Sequence, residues 1–596
     1  MAASSLSRLL DQLEQLRSSF HAGDDHRVLR LLAQLGRRRF RDAESLIRFH
    51  EALLFFRAFP PSAAVVRETE RLLRGFAERV EQLPHVGADL DDIDTFEASG
   101  IAGTTMQDTL SFDVVRWLTR HIPGAAEIAW DDYDDERGMG PVWPLLMPLQ
   151  AEDSYVEANI PWRRWLEAAV PRGKGELEWI VEQIERLRAD YLERARIYDL
   201  LRLPVRWKMG NERFSRTLNW SRPRDVFYHR EPLIVRSGVS LAQELARRPP
   251  VLHKVSRADG LETMDRIREI MLVRYRELYG TTLGDPNSVV RAEIGRGAVI
   301  HLWNLPPERR LPLRAYVAGF TLKNGVPINY IEAIGLCEWM EVGFNTFYTF
   351  RGGEVAWIFA QVLCCLCHLM GTTCVSMYPY QLGDQNDEAI ESGAYWFYRK
   401  LGFRPPRKEL VELVEREERK IAADKGYRTP ARVLRKLASA HLIYELPGSE
   451  VGAWDRFSTR NLGLAANRRM AGESRGSHSA GIRRAAPKGA LAFDASTASL
   501  KRCSDTNLRL LASQHSTALA RMLGVDPARW PALEQCALAD FAAALGSAAE
   551  VSTWSAAEKH ALVEIIRAKP ARDEMRYLHL TQQHARLRDL LLRLGS

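Results

Sequence analysis

Apolar residues recur three and four positions apart near the start of the chain, at Leu9, Leu13 and Leu16 and again at Leu29, Leu32 and Leu35. That spacing lines one face of a helix, so residues 1–85 are expected to form a helical bundle. Residues 86–250 are less regular. They hold an acidic stretch, the turn Gly-Ile-Ala-Gly-Thr-Thr at 100–105, a Pro/Trp-rich segment at 141–148, a strong helical period over 176–201 and a basic, proline-interrupted stretch over 204–250. They read as a mixed, mostly helical domain that ends where the prolines cluster.

From residue 251 the period changes. A short alternating run at 251–256 leads into a helix started by Asp259 and Glu262 and carrying Met264, Ile267, Met271 and Leu278. Strand-like runs follow at 289–294 and 298–305 across Gly295-Arg296-Gly297, then at 314–322 and 327–336 across Lys323-Asn324-Gly325, whose Asn-Gly suits a tight hairpin. Residues 353–370 are apolar almost all round, which predicts a helix buried between layers. A strand at 372–380, a helix at 388–401 and a strand opening at Phe403 complete the alternation. The expected fold class is an α/β central domain over 251–410, with a mixed, largely antiparallel sheet and flanking helices, between mainly α-helical N- and C-terminal domains. Residues 411–473 read as a helical extension and 474–495, rich in Ser, Gly and Arg, as a flexible linker. Residues 496–596 read as a C-terminal helical module, with Asp526-Pro527 and the pair Ser555/Glu558 as helix starts.

Length adds that 596 residues exceed one ordinary core, so several domains are expected. Charge adds little, because the net +7 is spread over 83 basic and 76 acidic residues. The densest basic run, Arg37-Arg38-Arg39-Phe40-Arg41, is read as a solvated helix face, and nucleic acid is not an expected partner. Seven cysteines do not make a disulfide framework in so long a chain, which points to a reducing, cytoplasmic setting. The first residues lack the basic end and continuous apolar run of an export signal, and the apolar run at 356–370 is too short to span a bilayer. No membrane association is expected. Cys364, Cys367 and His368 share a helical face, but the helix is apolar and offers no fourth ligand, so no metal is expected. The acidic run at 131–136 lacks the spaced loop of a calcium site and is read as solvated.

One stretch points to chemistry. Residues 393–403 read G-A-Y-W-F-Y-R-K-L-G-F, with Ala394, Phe397 and Leu401 on one helical face and Gly402 placed to stop the helix in the left-handed region. The pattern A-x-x-F-Y-x-K-L-G-F resembles the last conserved helix of the GNAT superfamily of acyl-CoA-dependent N-acyltransferases, and the order of elements over 250–410 resembles that fold. The resemblance implies acetyl-CoA or another acyl-CoA as co-substrate and a small-molecule or protein amine as acceptor. It implies that Tyr398 lies beside the thioester sulfur as general acid, and that Arg351, Gly352, Gly353, Glu354, Val355 and Ala356 form the pyrophosphate loop at a helix start. The loop departs from the family pattern at Glu354, where glycine is expected, so that carboxylate must turn away from the phosphates or the donor must bind differently. Glu391 stands where the family often has asparagine. Candidate bases are Glu332, Glu338 and Glu341, and no spacing selects among them. The oxyanion donor is expected near Gly335 or Leu336. Residues 338–350 look like an insertion whose Phe344, Asn345, Phe347, Tyr348 and Phe350 could line an acyl or acceptor pocket. The flanking helical parts would then supply the acceptor site or a protein-partner surface. The alternative is a catalytically inactive GNAT-like protein that senses a ligand or serves as a scaffold.

Overall fold

The computed structural model describes residues 5–17, 20–21, 23–84, 99–133, 138–147, 161–210, 214–470, 506–545 and 549–596. The linker expected at 474–495 and the acidic residues 134–136 lie outside them.

Five helices open the chain: Ser5–Gln15, Asp24–Gly36, Ala43–Ala58, Ala63–Arg74 and Phe76–Glu81. The third begins where the Asp42 carboxylate accepts the Ser45 N–H at 2.7 Å, an N-cap that satisfies one orphan donor of the first turn. Its Phe49, Leu53, Phe55 and Phe56 are all fully buried, so it runs through the middle of the helical layer. The basic run at 37–41 is not a helix face. The second helix stops at Gly36 and the third starts at Ala43, which leaves these arginines in the connector.

Residues 99–210 build a separate core around Met106, Trp117, Trp143, Trp179, Tyr198 and Trp207. Besides helices it holds a three-stranded antiparallel sheet of β1 (Thr105–Thr109), β2 (Ala126–Ile128) and β3 (Pro204–Lys208), in the order β1-β3-β2. These strands are too short to leave a period in the sequence.

The main sheet has eight strands: β4 (His253–Lys254), β5 (Val290–Gly295), β6 (Ala298–Asn304), β7 (Ala315–Lys323), β8 (Val326–Leu336), β9 (Trp339–Thr346), β10 (Cys374–Met377) and β11 (Leu442–Glu445). Their spatial order is their chain order. All neighbours are antiparallel except β9 and β10, which are parallel and joined by the central helix Val355–Met370, the crossover such a pair requires. The β7–β8 hairpin turns on Asn324 and Gly325, both at positive φ (49° and 78°) as this turn demands. A Cβ on Gly325 would sit 1.7 Å from the Ser221 carbonyl oxygen.

Two elements differ from expectation. The apparent insertion at 338–350 contains β9: Met340, Val342 and Phe344 alternate with Glu341, Gly343 and Asn345, a period of two masked by its polar half. The last strand is β11, whereas Phe403 opens no strand and the chain there makes a single bridge, Arg404 to Ile443.

Helix Arg257–Leu272 starts with Ser256 Oγ accepting the Asp259 N–H at 3.1 Å, three residues before the expected cap. Its Met264, Ile267 and Ile270 join Tyr316, Phe320, Tyr330 and Ile334 in one cluster on one face of the main sheet. The central helix belongs to the opposite layer, where one core extends from Leu10 in the first helix through Phe359 to Leu591 near the C-terminus. The C-terminal helices are pinned to the sheet by polar contacts as well. Gln582 Nε2 donates to the Cys337 and Met370 carbonyls at 3.0 and 2.8 Å, and Arg310 Nη1 to the Lys569 carbonyl at 2.6 Å. No helix among the described residues is long and apolar enough to cross a membrane.

Candidate active site

β9 and β10 pair only over Trp339–Val342 and Cys374–Met377. Beyond Val342, β9 runs on to Thr346 still paired to β8, while the chain after Met377 turns into the short helix Pro379–Leu382. The strands therefore part, and a cavity of about 260 Å³ occupies the wedge. Its floor includes Tyr330 of β8 and Phe344 of β9, and Phe347, Tyr348, Arg351 and Val355 line it toward the central helix.

The far wall comes from 386–398. Asn386 caps helix Asp387–Glu391 by accepting the Ala389 N–H at 3.1 Å. The single helix expected over 388–401 is broken at Gly393, whose φ of 70° ends one segment before Ala394–Arg399 begins. That break turns Ala389, Ser392, Ala394, Phe397 and Tyr398 onto the cavity. Gly402, at φ 105°, stops the second segment as its position suggested, and the Phe403 N–H donates to the Tyr398 carbonyl at 3.3 Å.

Tyr398 is buried, with its ring edge-on to Phe359, Phe397 and Phe403 at centroid distances of 5.5, 5.1 and 5.9 Å. Among the described residues its hydroxyl has no hydrogen-bond partner. Burial pushes this hydroxyl well above the ordinary tyrosine range, so it holds its proton at neutral pH.

The loop before the central helix is divided in its contacts. Arg351 is exposed at the cavity and pairs with Glu388. Gly352 faces open space, whereas a Cβ on Gly353 would lie 2.6 Å from Phe59 Cζ. Gly353→Val is therefore expected to cost about 1–3 kcal/mol through overpacking, against about 0.5 kcal/mol or less for Gly352→Ala, as read from urea unfolding midpoints. Ala356 is buried in the core, and Val355 borders the cavity at the first turn, where backbone N–H groups lack intrahelical acceptors. Glu354 is fully buried and makes no side-chain cap to the helix it precedes. Its carboxylate turns back into the protein, accepting from Lys323 Nζ at 2.9 Å, Arg296 Nε at 2.8 Å and the Ile234 N–H at 3.2 Å. Burial pushes this carboxyl up, but Arg296 and Lys323 outweigh it and hold it below the usual range.

The three candidate bases part company. Glu332 on β8 and Glu341 on β9 lie on one sheet face, since Glu332 pairs with Gly343 and Ile334 with Glu341. The space over Gly343 is bounded by Gln381 Nε2, Asn345 Nδ2 and Glu332 Cβ, all within 4 Å of where its Cβ would be, and Gln381 and Asn345 line the cavity. Glu332 accepts the Tyr316 hydroxyl. Burial pushes the Glu341 carboxyl up, Arg314 opposes it and Glu332 adds to it. Glu338 sits in the β8–β9 turn, bound by Arg588 at 2.6 Å and the Trp454 indole at 2.7 Å, and none of the three carboxylates lines the cavity itself. Gly335 faces the C-terminal layer, where a Cβ would meet Met370 and Leu578, and neither it nor Leu336 lines the cavity. Glu391 is exposed, and the asparagines at the cavity are Asn345 and Asn386.

Sequence reasoning did not find the cations. Arg216, Arg274 and Arg276 join Arg351 around the cavity. Behind them Glu51, from the third N-terminal helix, accepts from Arg216 Nη2 at 2.8 Å and from the Thr349 hydroxyl, and contacts His50 Nδ1 at 3.0 Å. Burial raises the Glu51 carboxyl, yet Arg216 and His50 bring it down to about 2. No signal in the sequence links these positions, which come from four separate parts of the chain.

Cys364, Cys365 and Cys367 are buried in the central helix, and burial pushes the Cys365 and Cys367 thiols up to about 12. Among the described residues no group of three or more His, Cys, Asp or Glu is placed to hold a metal ion. No protein-family model, curated protein or solved structure matches the chain.

Proposed function

We propose that the protein is an acyl-CoA-dependent N-acyltransferase of the GNAT superfamily, moving an acyl group, acetyl in the simplest case, to an amine by direct attack. One observation carries the reading: a wedge opens where parallel β9 and β10 part, with a buried helix's N-terminus at one side and the unpartnered Tyr398 hydroxyl at the other. A CoA thioester fits this arrangement. Its pyrophosphate would lie against Arg351 and the first-turn amides, where the helix dipole favours an anion. Glu354 does not oppose it, because its carboxylate is spent on Lys323 and Arg296.

In this reading the amine nitrogen attacks the thioester carbonyl, the C–N bond forms, the C–S bond breaks, and Tyr398 gives its proton to the leaving sulfur. The amine's proton goes to a carboxylate, directly or through water. Glu341, half-buried and with its carboxyl raised by burial, is favoured over Glu332 and Glu338, which already accept hydrogen bonds; it stands outside the cavity lining, so the proton would reach it through water. The backbone of Gly343–Thr346, with β8 on one edge only, is where N–H groups for the oxyanion are to be sought.

The test is a thermal-shift panel of CoA thioesters on the full chain, from acetyl-CoA to longer acyl groups. A ligand present at about 100 times its Kd stabilises the folded state by about 2.7 kcal/mol, which is readily measured. No shift with any thioester at millimolar concentration overturns the reading. Binding with no release of CoA in the presence of any amine overturns its enzymatic part and leaves a sensor.

A further inference from the structure

We infer that the cavity contains a carboxylate subsite built on Arg274, so that one substrate of this protein carries a carboxylate. The inference depends on the acyltransfer reading only for which substrate that is.

Arg274 is 94% buried at the end of helix Arg257–Leu272 and lines the cavity (6% exposed). Its Nη1 donates to the Ile270 carbonyl at 2.7 Å, and its guanidinium lies over the Phe347 ring at 4.3 Å. Its Nε has no hydrogen-bond partner among the described residues. A guanidinium this deep, with a single backbone acceptor, is costly unless something completes it. The nearest influential carboxylate, Glu51, is already engaged by Arg216, Thr349 and His50. With Nη1 taken by Ile270 and one face over Phe347, the edge left for a planar carboxylate in two parallel hydrogen bonds is that of Nε, which has no acceptor, and Nη2.

Two more observations point the same way. Arg216, Arg276 and Arg351 also line the cavity, against Glu388 as the one lining carboxylate among the described residues. Between Arg274 and Arg276, Tyr275 adopts a φ of 51°, a conformation that a bulky side chain rarely takes. It is the left-handed cap of the preceding helix, closed by the Arg276 N–H donating to the Met271 carbonyl at 3.0 Å, and it carries the chain from one arginine of the cavity to the next. The aromatic lining of Tyr330, Phe344 and Phe397 suits the short carbon chain that would connect the carboxylate to the reacting centre.

The carboxylate can be borne by the acyl group or by the acceptor, and two arms separate these. In the first, succinyl-CoA is compared with butyryl-CoA by titration calorimetry. In the second, a panel of α-amino acids is compared with the amines that lack only the carboxylate. Wild-type protein is expected to prefer the anionic member in one arm by about 10- to 100-fold, the worth of one charge-assisted contact, and Arg274→Met to lose that preference. Arg274→Met is also expected to melt no lower than wild type without ligand, because it removes an incompletely paired buried charge; a purely structural arginine would give a clear loss. Arg274→Lys keeps the charge without the fork, guards against misfolding of the methionine variant and should retain only part of the preference. Free succinate gives an independent reading. If it stabilises wild type but not Arg274→Met while no CoA thioester binds, the subsite stands and the acyltransferase reading falls. A preference in neither arm together with no stabilisation by succinate, a preference that survives in Arg274→Met, or tighter binding of inorganic phosphate than of any carboxylate overturns the inference.

Discussion

Replacing Tyr398 by phenylalanine is expected to lower turnover by about 10²- to 10⁴-fold, the usual worth of a positioned general acid, while acyl-CoA affinity changes by about twofold or less. The separation follows from what the hydroxyl does and does not touch. The ring is held by Phe359, Phe397 and Phe403, and phenylalanine keeps all three edge contacts. The oxygen has no protein partner among the described residues, so its removal breaks no hydrogen bond and leaves no group unsatisfied. The melting temperature should stay level or rise slightly. Burial keeps the proton on the phenol until negative charge builds on the departing sulfur, so the loss should appear in kcat and not in the binding step. Single-turnover release of CoA, followed by thiol titration, reads the chemical step directly. Unchanged turnover in the variant would reduce Tyr398 to a packing residue.

The hairpins of the main sheet were legible because β5 to β8 alternate or run apolar between recognisable turns, and the central helix because only Gln361 and His368 interrupt its apolar faces. β9 was not. Its inward Met340, Val342 and Phe344 are separated by Glu341, Gly343 and Asn345, and a strand at a cavity rim has no reason to keep a uniform outer face. Missing β9 set the expected site at the end of β8, which drew in Gly335, Leu336 and Glu338, although Gly335 and Glu338 contact the C-terminal helices. The Tyr398 segment could be read because its helix period, glycine stop and aromatic packing are all local. The cations could not, since Arg216, Arg274 and Glu51 meet only through tertiary packing, and a positive φ at Tyr275 has no sequence signature.

Glu354→Gln is expected to destabilise the protein by about 3–5 kcal/mol, the cost of leaving buried charge without its partner. The wild-type carboxylate is shared by Lys323 and Arg296, and Lys323 is itself fully buried over the rings of Phe59 and Phe227 at 5.0 and 5.4 Å. Burial pulls Lys323 down to about 8 even with Glu354 present. Without that carboxylate its folded pKa falls further below its unfolded value, so the folded state holds fewer protons than the unfolded one over the interval between them. Stability then rises with pH across that interval. The deficit of Glu354→Gln relative to wild type should accordingly be larger at pH 7 than near pH 10, where Lys323 is neutral in both proteins and only the Arg296 and Ile234 contacts differ. Adding Lys323→Met should recover part of the loss at pH 7, and a double-mutant cycle isolates the pair term. The same variant tests the orientation of the loop. A carboxylate turned into the core contributes little at the helix N-terminus, so acyl-CoA affinity in Glu354→Gln should be unchanged or weaker as the loop loosens. Tighter binding with undiminished stability would mean that the carboxylate faces the ligand, and the pyrophosphate would then have to lie elsewhere.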